Sequence, residues 1–297
     1  MLLSSKKDFI YYKDNHSQMA DLILEIKDLH VMIEGKSILK GVNLGIEKGN
    51  VYVLFGPNGS GKTTLMKNLV GFPGYEVSGK IIFDGADITG KPIDERANLG
   101  LNISFQEPPK IKGVTLKNMI NICLKKKPDT SLEAEEINLI KRFNLENFLD
   151  RDINVGFSGG EKKRADIMQL ILLKPKFLLL DEPDSGVDVE SLKVISREIA
   201  RYIREHRASA LIITHQGQIL EYIASKKACV LLNGRISCYQ DPIKILADIK
   251  EKGYLECVNC HQFKKDSISC TTNAPCTADG TANQAGPDQI LKRRGDR

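Results

Sequence analysis

No apolar run in this 297-residue chain approaches the roughly 20 residues needed to span a bilayer, so any work at a membrane requires another chain to supply the span. No excess of one charge is present either: 43 Lys and Arg against 38 Asp and Glu leave +5, too mild a balance to indicate a nucleic-acid or membrane-surface partner. The start, "MLLSSKKDFIYYKDNHSQMA", lacks a secretory pattern, because Lys6, Lys7 and Asp8 stand where the apolar stretch would be. No internal repeat of solenoid period occurs. The seven cysteines are an odd number, with Cys123, Cys229 and Cys238 scattered through the body and the others crowded at the end. This excludes a disulfide framework as the organising principle. The expectation is a cytoplasmic chain with reduced thiols and no membrane insertion of its own.

What is present is ordinary globular material: 41% hydrophobic and 27% charged residues, enough for one large core or two modest ones. Residues 1–20 read as a loose extension. From residue 21, the stretches "LILEIKDLHVMI", "VNLGIEKGNVYVLF", "KIIFDG", "NISF", "FLLLD", "ALIITH" and "ACVLLNGRI" read as strands. Helical period covers Ser131 to Phe148, Lys162 to Leu173 and Val189 to Glu205. Alternation of strands and helices implies an α/β fold with a mostly parallel sheet covered on both faces. Residues 107 to 154 lack strong strand runs and read as a helical insertion. After residue 252 the composition turns to Ser, Thr, Gly, Pro and Asn, and 253–297 is expected to be a tail without fixed structure.

One glycine-rich stretch has a defined chemistry. "VYVLFGPNGSGKTTL" contains G-x-x-x-x-G-K-[ST], with an apolar strand before it and a helical run after it. Glycines allow the backbone to curl so that successive N–H groups face phosphate oxygens, and the helix N-terminus adds its positive end. Gly56, Pro57, Asn58, Gly59, Ser60, Gly61, Lys62, Thr63 and Thr64 are therefore the candidate phosphate cradle. Lys62 is placed to reach the β- and γ-phosphates and the Thr63 hydroxyl to ligate Mg²⁺. A cradle of this kind needs an acidic partner at the end of another strand, and "FLLLDEP" supplies Asp181 and Glu182. Asp181 suits a water-mediated Mg²⁺ contact, and Glu182 can act as general base on the lytic water. His215 ends the strand "ALIITH" and so falls on the same carboxyl edge, where ligands of open α/β sheets gather.

A second glycine-rich stretch, "NVGFSGGEKKR", fits a capping box: Ser158 caps a helix and Glu161 returns the bond. Gly159 and Gly160 also leave uncovered N–H groups above a helix N-terminus, which makes a second anion site.

Together these residues resemble the ATP-binding cassette (ABC) ATPases. "GPNGSGKTT" is similar to the Walker A motif, "FLLLDEP" to Walker B and "FSGGE" to the signature. Gln106 in "NISFQEP" resembles the Q-loop glutamine, "SGVD" with Asp188 the D-loop, and His215 the switch histidine. The resemblance spans residues 21 to about 250. It implies a P-loop NTPase with a mostly parallel core sheet, an antiparallel β subdomain and a helical subdomain at about 107–165. It further implies Mg²⁺-dependent hydrolysis of ATP to ADP and phosphate, with Gln106 at the metal. Two ATPs would be held in a head-to-tail dimer in which one copy's Ser158, Gly159, Gly160 and Glu161 close over the other's nucleotide. At the position where such proteins commonly stack an aromatic residue on adenine, this chain has Ile33.

Within the family, "DINVGFSGGEKKRADIMQ", "GYEVSGKIIFDGADI" and "DSGVDVESLKVI" are similar to the SufC group, the ATPases of the SUF iron–sulfur cluster assembly system. That resemblance implies SufB- and SufD-like scaffold subunits as partners. Two other readings stand beside it: the ATPase subunit of a membrane transporter, with the same nucleotide chemistry, and a non-hydrolysing ATP-gated clamp, against which Glu182 argues. The tail sequence "CVNCHQFKKDSISCTTNAPC" reads as reduced thiols. Cys257, Cys260, Cys270 and Cys276 as four thiolates for zinc or an iron–sulfur cluster are the alternative. The Cys-x-x-Cys-His pattern of covalent haem attachment is set aside because that chemistry requires export.

Overall fold

The computed structural model describes residues 21–239 and 241–266. The chain divides after Val258, and the unit before that point carries both sheets and the candidate site. Its first element is a hairpin. β1 (Leu22–Ile33) and β2 (Lys36–Glu47) pair antiparallel through Glu34-Gly35, both at positive φ, as a two-residue turn matched to strand twist requires. β1 also pairs with β4 (Glu76–Phe83), which pairs with β5 (Ala86–Asp87), giving a four-stranded antiparallel sheet in the order β2-β1-β4-β5.

The second sheet has six strands. β3 (Val51–Phe55), β6 (Leu101–Ser104), β7 (Phe177–Asp181), β8 (Ser209–Ile213) and β9 (Lys227–Leu232) run parallel, and β10 (Arg235–Tyr239) closes one edge antiparallel. The order is β10-β9-β3-β8-β7-β6. Its inner strands read as continuous apolar runs because both faces are covered: β3, β7 and β8 are buried at every position. One face packs with the antiparallel sheet and α1 (Lys62–Val70) around Tyr52, Leu54, Leu179 and Leu211. The other face packs Leu178, Leu180 and Ile212 against α5 (Gly159–Leu172) and α6 (Val189–His206). The fold class expected from the sequence is the one observed.

Three expectations need correction. The helical period from Ser131 to Phe148 yields only α4 (Ala134–Arg142); Asn144 adopts φ 53° and breaks it, and a single 3₁₀ turn follows at Glu146–Phe148. The insertion also contains α3 (Leu116–Cys123), and α2 (Ile93–Leu99) precedes it. The expected unstructured tail is displaced as well, because α7 (Pro242–Asp266) continues past residue 252, with a non-helical break at Gly253 (φ 81°). The break has a packing reason: Tyr254, next in sequence, joins Val53, Phe55, Val230 and Ile245 in a third apolar cluster. Cys257 and Cys260 fall within α7, whereas Cys270 and Cys276, like residues 1–20, lie outside the described residues. The expectation of reduced thiols also fails at one pair, since Cys229 and Cys238 form a disulfide. They face each other across β9 and β10, a hairpin turned by Asn233-Gly234, so strand register alone brings the sulfurs together. Cys123 is free, and burial pushes its thiol up to about 11.

Candidate nucleotide site

β3, β6, β7 and β8 are parallel, so their carboxyl ends share one edge of the sheet, and the candidate residues follow those ends. After β3 the chain turns through Gly56 to Gly61, with Gly59 at φ 76° and Gly61 at φ 105° capping α1. A side chain at Gly56 would lie 2.5 Å from the Leu231 carbonyl and 2.7 Å from Ser60 Oγ. Glycine is required there because backbone from β9 approaches so closely. Among the described residues, the amides of Gly59, Gly61, Lys62 and Thr63 have no hydrogen-bond acceptor, an arrangement open to an anion at a helix start. Ser60 Oγ is likewise buried without a partner among the described residues. Lys62 folds back over the loop, donating from Nζ to the carbonyls of Gly56 (2.7 Å) and Pro57 (3.0 Å). Burial lowers its pKa, and the charges of Glu182 and Asp181 oppose that shift.

Asp181, the last residue of β7, is only 7% exposed. Burial and then the neighbouring Glu182 push its pKa up, against the attraction of Lys163, Lys62 and His215. A buried carboxylate at a strand end is a hard oxygen donor suited to a divalent cation. Glu182 leaves the strand at φ 48°, with its amide donating to the Ile213 carbonyl of β8 at 3.0 Å. Its carboxylate is braced from both sides: Gln106 Nε2 donates to Oε2 at 2.9 Å, and His215 Nε2 lies 3.0 Å from Oε1. Thr214, beside His215, donates to Asp184 Oδ2 at 2.7 Å and accepts from the Gly217 amide at 2.8 Å, which fixes the turn carrying the histidine.

The other motif gathers elsewhere in the same chain. Ser158 Oγ accepts from the Glu161 amide and Glu161 Oε2 accepts from the Ser158 amide, the capping box read from the sequence. Asp188 caps α6, accepting from the Ser191 amide and hydroxyl at 2.8 Å each. Those bonds, the backbone one first, hold its pKa below the usual carboxylate range. The two caps are packed together. A Cβ on Gly159 would come within 2.6 Å of the Gly186 carbonyl, and one on Gly160 would collide with Ser191 Oγ and stand 2.6 Å from Asp188 Oδ2. The adjacent glycines thus have a steric reason in the packing of the two caps. Alanine is favoured over glycine within a helix by about 1 kcal/mol, but overpacking costs about 1–3 kcal/mol. Gly160→Ala is therefore expected to destabilise the fold, read as a lower denaturant midpoint. An unchanged midpoint would show that the Asp188–Ser191 cap gives way freely.

Gln106, Asp181, Glu182 and His215 are thus brought to the Lys62 loop, whereas among the described residues no hydrogen bond joins Ser158–Glu161 to that loop. The sequence reading missed Lys163, which is 4% exposed and donates from Nζ to the carbonyls of Phe105 (2.9 Å) and Asp181 (3.4 Å). A signal existed: Gly160, Lys163, Ile167 and Leu170 form the buried stripe of α5, so a lysine occupies an apolar position of the helical period. Among the described residues no group of three or more His, Cys, Asp or Glu could hold a metal by itself, and no helix is long and apolar enough to cross a membrane.

Comparison with known proteins bears on this arrangement. A family model described as "ABC transporter" matches residues 39–185. Vegetative protein 296 of Bacillus subtilis (strain 168) is 43% identical over 231 residues, covering 73% of this chain and 87% of that protein. The probable ATP-dependent transporter SufC of Escherichia coli (strain K12) is 39% identical over 245 residues, covering 78% and 97%. Among solved structures, a nucleotide-free ATP-binding cassette from an ABC transporter superposes with TM-score 0.65 at 25% identity, over 80% of this chain and 98% of that one.

Proposed function

This chain belongs to the ABC transporter family of ATP-binding proteins, and we propose that it binds and hydrolyses Mg²⁺-ATP between two copies of itself, thereby driving conformational change in an iron–sulfur cluster assembly scaffold. The observation that carries the hydrolytic part is the Glu182 carboxylate held between Gln106 and His215 on the strand edge that also bears Lys62. In this reading the amides of the Gly56–Thr64 loop and the Lys62 ammonium hold the phosphates. Thr63, Asp181 and Gln106 would hold Mg²⁺, which neutralises developing charge on the transferring phosphoryl group when bound. Glu182 takes a proton from the attacking water while His215 keeps the carboxylate aimed. Asp188 and the Ser158–Glu161 cap act on the nucleotide of the other copy. Removal of the shared triphosphate lets the pair open, a local event with a mechanical readout.

The scaffold part rests on likeness to SufC over nearly the whole of that protein, together with the "NVGFSGGEKKR" stretch. SufB- and SufD-like subunits are then the partners and the cytoplasm the compartment. A transporter role is the second reading, supported by 42% identity over 241 residues to a probable ABC transporter ATP-binding protein of Streptococcus pyogenes, covering 78% of this chain and 93% of that one. Residues 21–252 form the proposed ATPase domain, and the tail thiols are proposed to remain free of metal. Affinity purification from the native cell is expected to recover soluble scaffold subunits in stoichiometric amount. Recovery of a polytopic permease instead would overturn the assembly reading and leave the ATPase reading intact.

A further inference from the structure

We propose that Asp166, acting through Ser104, is a positioning residue that locks the backbone preceding Gln106 to helix α5 and so passes movement of the Ser158 cap to the Glu182 carboxylate. The inference rests on the ATPase reading above and assigns a role to residues which that reading leaves unused.

The geometry centres on one peptide group. Ser104, the last residue of β6, is fully buried and donates from Oγ to Asp166 Oδ2 at 2.5 Å. The amide of the next residue, Phe105, acts with Ser104 to favour the charged form of the same carboxylate, against the burial that raises its pKa. Its carbonyl accepts from Lys163 Nζ at 2.9 Å. Lys163 and Asp166 are three residues apart on α5 and therefore on one face. A single turn of that helix thus holds two successive residues, Ser104 by its hydroxyl and Phe105 by its C=O. The Phe105 ring is held from a third direction, edge-on to Phe72 just beyond α1, with centroids 6.2 Å apart. Gln106 follows immediately and reaches Glu182 Oε2. Lys163 also reaches the Asp181 carbonyl at 3.4 Å, so the same helix turn touches the end of β7.

Stability alone poorly explains two ionisable side chains on this inward-facing helix turn, because burying polar groups costs free energy that apolar residues of similar volume avoid. What hydrogen bonds add is direction, because they fix Phe105 relative to α5 rather than letting it slide. α5 begins at Gly159 with its Ser158 cap. A displacement of that end, such as engagement with a second copy's triphosphate, is thereby imposed on the Gln106–Glu182 contact. Ser104 and Asp166 touch no reacting atom in this scheme and act only on the residues that do.

The test compares Ser104→Ala, Asp166→Ala and Gln106→Ala, singly and with Ser104→Ala combined with Gln106→Ala. Ser104→Ala removes the donor without adding volume. It is expected to lower kcat about tenfold, the order of loss that misplacement of a catalytic contact brings, while KM for ATP stays within about twofold because the phosphate loop is intact. Asp166→Ala, which leaves Ser104 without its acceptor, should behave alike. Once Gln106 has been truncated, Ser104→Ala should add no further loss, because the route to Glu182 has been cut. An equal fall in kcat in both backgrounds, or no fall in either, overturns the proposal. Hydrogen exchange on the nucleotide-free chain supplies a readout independent of turnover. The Phe105 amide, in the backbone that the Ser104–Asp166 bond ties to α5, should exchange about tenfold faster in Asp166→Ala, with Leu101 to Ile103 of β6 unchanged, since exchange follows local opening. An unaltered Phe105 rate also overturns the tie. A parent chain that fails to hydrolyse ATP would count against the ATPase reading, while the exchange measurement would still decide the tie.

Discussion

Glu182→Gln is expected to bind ATP as the parent does and to lose turnover by a factor of about 10²–10⁴, the usual worth of a positioned general base. The amide has the shape of the carboxylate and can still accept from Gln106 Nε2, 2.9 Å away in the parent. It cannot take a proton from water, and it forfeits any charge interaction with His215, whose Nε2 lies 3.0 Å from Oε1. Neither loss touches the phosphate loop, so affinity should be spared. With hydrolysis blocked, the shared triphosphates persist and the variant should collect as a nucleotide-loaded dimer in size-exclusion runs with Mg²⁺-ATP. Near-parental hydrolysis by Glu182→Gln would remove the base assignment. Loss of ATP binding would instead place the residue in the cradle.

Ser158→Arg should abolish hydrolysis while leaving ATP binding by the single chain largely intact. A bulky cation at the head of α5 obstructs the approach of a second copy's triphosphate. Among the described residues, the Ser158 side chain bonds only to Glu161, in the cap. Losing such a cap costs about 0.5–2 kcal/mol, a fraction of domain stability, so the variant should fold. Lys62→Ala is the complementary lesion. It strips the cation from the loop that would hold the β- and γ-phosphates but leaves the cap sound. Neither variant alone should hydrolyse ATP, and an equimolar mixture should recover part of the parent rate. In a mixed pair one composite site combines the intact Lys62 loop of one copy with the intact Ser158 cap of the other. Silence across all mixing ratios would show that cap and loop do not act in trans.

How much of this was legible without coordinates depends on what kind of signal each residue carries. The capping box at Ser158 and Glu161 was readable because a cap is a local device, complete within four residues. The Lys62 loop was readable for the same reason, since strand, turn and helix follow one another in the chain. Lys163 was not, because a lysine in a charged run reads as solvated surface until the helix is seen to bury it beneath Phe105 and Asp181. The break at Asn144 escaped for a related reason: the apolar period continues through it, and only a positive φ ends α4. Cys229 and Cys238 read as unrelated thiols because nothing in a list of spacings states that their strands pair in that register.

Motif order and element period were enough to establish the α/β class, the strand–turn–helix at Lys62 and the family, since each depends on residues adjacent in the chain. Convergence was decided by the tertiary structure. Gln106, Glu182 and His215 meet because β6 lies beside β7 and β7 beside β8, neighbours separated by long stretches of sequence. The close approach of Gly186 and Ser191 to Gly159 and Gly160, and the grip of α5 on Phe105, are likewise products of packing. Periodicity states which face of a strand or helix is buried, but it carries no information about what lies against that face.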